Sequence, residues 1–240
     1  MPQYQAEKLL KKSKLSTAYG KLDSAELQRA VLEEYEKLLD ENDLSNKTLA
    51  GHMKGSILPS VAFYRVLPGR GYTKAETLRL IRTAVLDGAQ PMARFFQNLG
   101  KLPFFFPLFR VMCPASMKHG FGEEGWVFVW KRNDAYAIEW DCTSCLYVNV
   151  FRRHGMPELA PIFCESDDVM YGKIPSARWG RTKTIGRGAE LCNFSFYNIK
   201  KEGFQNGKNK SVYGKGRHYH GFAYRAAHCH SAYREHGLHG

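Results

Sequence analysis

The stretch Trp126-Val-Phe-Val-Trp130-Lys-Arg-Asn-Asp134-Ala-Tyr-Ala-Ile-Glu-Trp140 decides the fold class. Its two halves, Trp126–Trp130 and Ala135–Trp140, are aromatic and β-branched, and the polar run Lys131 to Asp134 separates them, so the pair reads as a β-hairpin. After it, Thr143 is placed to cap a helix from about Ser144 to His154 that Gly155 closes, and Pro157 opens another through Asp168. Two more strands are expected near Ala177–Ile185 and Glu190–Ile199, with Gly186 and Gly188 in the turn. Before the hairpin the texture is helical. Leu27, Val31, Leu32, Tyr35, Leu38 and Leu39 share one face over residues 23–40, and Asp23 and Glu26 have capping-box spacing. Ile57, Val61, Ala62 and Val66 mark a second helix over Lys54–Leu67, stopped by Pro68-Gly69. A third starts at Thr73, with Glu76 three residues on, and is expected to end at Asp87-Gly88; Pro91 then fits the first turn of a short helix. The sum is an α+β fold: N-terminal helices followed by a small antiparallel sheet with an inserted helical pair.

Bulk properties narrow the function classes. A chain of 240 residues, 44% hydrophobic, can bury one substantial core, and a single domain over residues 1–202 is expected. Residues 203–240 hold seven glycines and six of the nine histidines with almost no aliphatics; they read as a disordered or appended tail. Within that tail His218, His220, His228, Cys229 and His230 are adventitious metal ligands at most. The net charge of +12 is spread along the chain without a basic stripe interleaved with aromatics, which argues against nucleic acid as a partner. Residues 1–15 lack the apolar core of a secretory signal, and the greasiest run, Leu102 to Met112, is broken by Pro103, Pro107 and Arg110, so no membrane partner is expected. A cytoplasmic location follows. There the six cysteines would stay reduced and serve as ligands, nucleophiles or core residues.

Four soft or polar residues fall in segments that otherwise look like core: Cys145, Cys164, Asp167 and Cys192. Cys145 lies in the expected first turn of a helix, where backbone N–H groups favour a thiolate. Cys164 and Asp167, three apart, share a helix face, and Cys192 alternates with Phe194 and Phe196 on a strand and should point inward with them. Three readings are open. A thiolate attacks an electrophilic carbon while Asp167 moves the proton; or the three cysteines and Asp167 hold one zinc ion that activates water; or the cysteines are core residues and nothing more. No organic cofactor is implied. Cys142 and Cys145 form one C-x-x-C, but no second pair follows and the segment lacks the strand-then-helix frame of a thioredoxin-like site, which leaves a redox role a minor option. His52, His119 and His154 show no paired metal spacing and read as surface or helix-end residues.

Between Cys145 and Phe196 the chain carries Cys145 followed by Tyr147, Gly155-Met-Pro-Glu-Leu159, Phe163-Cys164-Glu-Ser-Asp167, Arg181-Thr-Lys-Thr184, Gly188 and Cys192-Asn-Phe194-Ser-Phe196. In the order and spacing of these motifs the segment resembles the defining segment of the L-2-amino-thiazoline-4-carboxylate hydrolase family. Ile57-Leu-Pro-Ser-Val-Ala-Phe-Tyr64 is similar to the family's opening helix, so the resemblance covers roughly residues 45–200. Leu146-Tyr147-Val148 stands where the family tends to have Pro-Tyr-Tyr, and Asn193 where it tends to have Asp, which points to a different pocket lining. The resemblance implies hydrolytic ring opening of a small cyclic amidine, 2-amino-thiazoline-4-carboxylate, to N-carbamoyl-cysteine. It implies Cys145 or Cys164 as nucleophile or metal ligand, Asp167 as acid/base, Cys192 beside them, and Arg181 as a bidentate clamp on the substrate carboxylate, with Thr182, Tyr147 and Asn193 lining the pocket. The Gly-turn followed by Cys-x-Phe-x-Phe is also similar to the end of small-molecule-sensing domains associated with vinyl reductases, which leaves a non-catalytic ligand- or zinc-binding sensor as the alternative.

Overall fold

A computed structural model describes residues 3–201. The tail expected from residue 203 onward lies outside the described residues. An N-terminal group of helices comprises α1 (Gln3–Leu10), α2 (Ser16–Gly20), α3 (Ala25–Glu41), α4 (Lys47–His52), α5 (Leu58–Val66), α6 (Lys74–Leu99) and α7 (Phe105–Gly120). The hairpin strands β1 (Trp126–Asn133) and β2 (Ala137–Cys145) follow, then α8 (Leu146–Arg153) and α9 (Ala160–Tyr171), then β3 (Ala177–Gly180) and β4 (Cys192–Asn198). The four strands form one antiparallel sheet in the order β1-β2-β4-β3, with α8 and α9 inserted between β2 and β3. The expected α+β architecture is therefore present.

Several boundaries differ from the sequence reading, each for a local reason. Ser24, not Asp23, caps α3: its hydroxyl accepts from the Leu27 N–H, while Asp23 accepts from the Tyr72 hydroxyl at 2.7 Å. The second helix begins at Lys47 under an Asn46 cap and passes through a π-turn at Met53–Ile57 before α5. That widening has a cause at Pro59, whose nitrogen cannot donate to the Gly55 carbonyl four residues back. The Lys14 N–H donates to that carbonyl instead at 2.9 Å, and the Tyr35 hydroxyl donates to the Lys54 carbonyl at 2.9 Å, so backbone acceptors loosened by the wide turn find outside partners. The capping box at Thr73 and Glu76 forms as expected, but α6 runs on through Gly88 and Pro91 to Leu99 as one helix. Packing on α9 overrides the breakers: Ala84, Ala89 and Ala93 are buried in α6, small enough to let another element close in. Gly100 ends α6 against the chain entering β3, and a Cβ there would stand 2.7 Å from Ile174 and 2.8 Å from Pro175. Of the run Leu102 to Met112, not assigned to any element from the sequence, Phe105 to Met112 form the first half of α7.

In the sheet region, β2 extends to Cys145, so Thr143 is a strand residue and α8 starts at Leu146 rather than Ser144. Asp134 turns the hairpin by accepting from the Tyr136 and Ala137 N–H groups. Gly155 closes α8 with φ of 72° and Gly188 ends the β3–β4 turn with φ of 92°. The strands there are shorter than expected because Ile185–Arg187 forms a 3-10 turn. Two apolar clusters result. One gathers the inner faces of α3 and α5 with α8 and α9; the other packs Phe105 and Phe106 of α7 on Ile138, Trp140 and Phe196 of the sheet. Phe121, Phe128 and Phe194 touch both. Cys145, Tyr147 and Cys192 of the candidate site belong to the first cluster.

Candidate functional site

Strand register puts Cys142 of β2 directly opposite Cys192 of β4, and Cys145 lies three residues past Cys142 at the N-cap of α8. The C-x-x-C therefore does lie at a strand-to-helix junction, contrary to the sequence reading, although its first cysteine is inside the strand. Cys164 projects from α9 toward the 3-10 turn, where Gly186 is required: a Cβ at that residue would come within 2.7 Å of the Cys164 sulfur. The Ile185 N–H donates to the Cys192 sulfur at 3.2 Å. All five described cysteines are free thiols.

Electrostatics link these groups. Burial raises the thiols of Cys145, Cys164 and Cys192, the last to about 11, and each is raised further by a neighbouring thiol or by Asp167. The Tyr147 and Val148 amides at the start of α8 lie toward the Cys145 sulfur and favour its anion, without meeting hydrogen-bond geometry, and burial outweighs them. The helix-start thiolate expected from the sequence is thus a thiol in the resting protein. Asp167 moves in the same direction. Burial lifts its carboxyl to about 6 and Asp168 adds to the lift, while Arg181 and Lys14 oppose it. Its side chain nevertheless keeps 29% of its surface open to solvent, which leaves it reachable.

The Arg181 side chain, 2% exposed, donates to Asp167 at 2.8 Å, to Asp168 at 2.8 Å and to the Cys164 carbonyl at 2.7 Å, and lies near the rings of Trp179 and Phe194. It fixes α9 to the strand end. Asn193 accepts from the Thr182 and Lys183 N–H groups at 3.0 and 2.6 Å and donates to the Thr182 hydroxyl at 2.9 Å. Those bonds pin the segment that carries Arg181. An aspartate could accept the same two N–H groups, which explains physically how either residue can stand there. Tyr147 packs on Phe163 with ring centroids 4.8 Å apart and bonds His52 Nδ1 at 3.1 Å. Since His52 Nε2 lies 2.9 Å from the Gly120 carbonyl, which only accepts, Nε2 carries the proton and Nδ1 accepts from Tyr147. Burial lowers the imidazole's affinity for a second proton. His52 is a helix-end residue as expected, but one enclosed by Phe121, Trp126 and Tyr147.

Residues 51–196 match the family model described as L-2-amino-thiazoline-4-carboxylic acid hydrolase. The chain belongs to this family. Among curated proteins and among solved structures nothing matches. Cys145, Tyr147, Cys164, Asp167, Arg181, Thr182, Cys192 and Asn193 all fall inside the span shared with the L-2-amino-thiazoline-4-carboxylic acid hydrolases. No group of three or more His, Cys, Asp or Glu side chains is arranged to hold a metal ion among the described residues.

Two contributors escaped the sequence reading. Lys14 is half-buried, its ammonium 5.9 Å from the Phe163 ring and near enough to Asp167 for each to affect the other's protonation; burial lowers its pKa. It also lines a groove of about 310 Å³ with Ser13, Ser16 and Thr17 on one side and Ala84, Asp87 and Gly88 of α6 on the other. Nothing in the run Lys11-Lys12-Ser-Lys14 marks one lysine apart from its neighbours. Thr184 ends the Arg181-Thr-Lys-Thr motif, and its buried hydroxyl has no hydrogen-bond partner among the described residues although it lies beside Cys164. An orphaned buried hydroxyl at a candidate site is a natural contact for a ligand.

Proposed function

We propose that this chain hydrolyses a small cyclic amidine bearing a carboxylate, 2-amino-thiazoline-4-carboxylate or a close relative, to the N-carbamoyl amino acid. Two observations carry the reading: a thiol at a helix start, Cys145, and a solvent-reachable carboxyl, Asp167, lifted to about 6 and close enough to influence that thiol. A carboxyl of that strength gains and loses a proton near neutrality, as an acid/base catalyst needs to do. In the first half-reaction Asp167 accepts the Cys145 proton, the sulfur attacks C2 of the ring, the C2–S bond breaks, and the same proton goes to the departing ring sulfur. The developing thiolate is favoured by the Tyr147 and Val148 amides. In the second half, water attacks C2 of the resulting isothiourea, Asp167 takes its proton, and Cys145 leaves and is reprotonated. One water is consumed overall.

The remaining residues hold the parts in place. Arg181 already serves three acceptors and keeps Asp167 oriented, so we assign the carboxylate contact chiefly to Lys14, whose ammonium meets no hydrogen-bond acceptor among the described residues. Cys164, Cys192 and Thr184 line the space. The test is turnover of 2-amino-thiazoline-4-carboxylate by wild-type protein and by Cys145→Ala, with circular dichroism and a melting curve as fold controls. Turnover by wild type and its loss in a folded Cys145→Ala variant are expected. Unchanged turnover in the variant removes the covalent step, and chelator-sensitive turnover restored by zinc would replace it with metal-activated water. Ligand binding without turnover by the wild type would make the chain a sensor.

A further inference from the structure

From Gly88 to Gly122 the sequence holds no aspartate or glutamate, yet it carries Arg94, Lys101, Arg110 and Lys118. This stretch is the second half of α6, the turn after it and all of α7. One side of α7 is accounted for, since Phe105, Phe106, Cys113 and Met117 are buried against the sheet. The other side is not. Phe104, Leu108, Val111 and Met112, at spacings of four, seven and eight, share its outer face and are 55%, 38%, 68% and 52% exposed. Met92 and Phe95, one turn apart on α6, add 47% and 56% exposed side chains. None of the four cations makes an ion pair among the described residues.

We infer that this α6–α7 corner lies on an anionic lipid surface. An amphipathic helix that sits in the plane of a bilayer presents Phe, Leu and Met to the acyl boundary and flanks them with Lys or Arg that meet the headgroups. That is the composition here. The lack of carboxylates over 35 residues removes the repulsion that would oppose a negatively charged bilayer, and the four cations supply the attraction. Contact of this kind differs from spanning: among the described residues no helix is long and apolar enough to cross a membrane. The lack of a spanning segment and of a secretory-signal pattern, from which no membrane partner was expected, does not bear on surface contact. The inference is independent of the proposed hydrolysis, because none of these residues belongs to the candidate site.

The test is co-sedimentation of the full-length protein with phosphatidylcholine vesicles, with and without about a third phosphatidylglycerol, at low and high salt. Binding to the anionic vesicles that weakens in salt is expected, with little binding to neutral ones. The C-terminal residues are also basic, so two variants that leave them intact decide the surface. Phe104→Ser combined with Val111→Ser should release the protein from vesicles with its circular dichroism unchanged. Arg94→Gln, Lys101→Gln and Lys118→Gln together should weaken binding about 100-fold, at roughly fivefold per charge near the surface. Wild-type binding retained by the serine variant would overturn the assignment. So would absence of wild-type binding; in that case light scattering that shows a dimer disrupted by the same two substitutions would give the face to a second copy of the chain.

Discussion

Replacement of Asp167 by asparagine tests the electrostatics of the site more directly than any other change. The carboxyl stands at about 6 against an ordinary 3.8, so the folded protein holds this proton more tightly than the unfolded chain does. Between pH 3.8 and 6 the native state therefore binds more protons, and stability must fall as pH rises through that window. A shift of about two units corresponds to roughly 3 kcal/mol at most. Solvent contact at 29% of the side chain reduces that figure, and about 1–2 kcal/mol is the reasonable expectation. Urea unfolding of wild type and Asp167→Asn at pH 4.5 and pH 7.5 isolates the effect, since other titrating groups are common to both. The wild type should lose about 1–2 kcal/mol more than the variant across the interval. In parallel, the pH–rate profile of the wild type should bend near 6, and that bend should be missing in any residual activity of the variant. Stability curves that run parallel in the two proteins would refute the claim that Asp167 carries an uncomfortable charge at neutrality. An inflection near 6 that persists in Asp167→Asn would assign the proton transfer elsewhere.

Two further expectations follow from contacts described above. Lys14→Met should raise KM for the carboxylate substrate about 10- to 100-fold, the worth of one charged hydrogen bond, with kcat changed far less, and Lys14→Arg should recover part of the loss; steady-state kinetics that show equal KM values would return Lys14 to a packing role. Gly100→Ala, at an ordinary φ of −65°, should cost about 1–3 kcal/mol purely through its close contacts with Ile174 and Pro175, visible as a melting point several degrees lower with kcat unaltered.

The parts of the fold legible in the sequence were those governed by local patterns. The aromatic and β-branched run of Trp126–Trp130, the capping box at Thr73, and Gly155 and Gly188 at positive φ all follow from residues within a few positions of one another. Two of the errors share one origin: Gly88 and Pro91 signal breaks, and the packing of α9 on α6 overrides both. Within the site, the sequence identified side chains whose chemistry is unusual for a core, such as Cys145, Cys164 and Asp167. It could not identify Lys14, because what distinguishes that lysine from Lys11 and Lys12 is its burial beside Phe163, a relation across about 150 residues. Nor could it tell that burial would keep the Cys145 sulfur protonated, since dielectric surroundings are a property of the assembled core.

The bond from the Lys14 N–H to the Gly55 carbonyl has a bearing on how the family is divided into working units. The shared family span begins at residue 51, so the acceptor lies within it and the donor lies well before it. A polypeptide trimmed to the shared span would retain every motif by which its kinship is recognised and yet leave a π-turn carbonyl without its donor, while losing the ammonium beside Asp167. Here the span recognisable as ancestry is smaller than the set of residues that hold this helix together. On the proposed role of Lys14, the unit of chemistry would reach upstream of it as well.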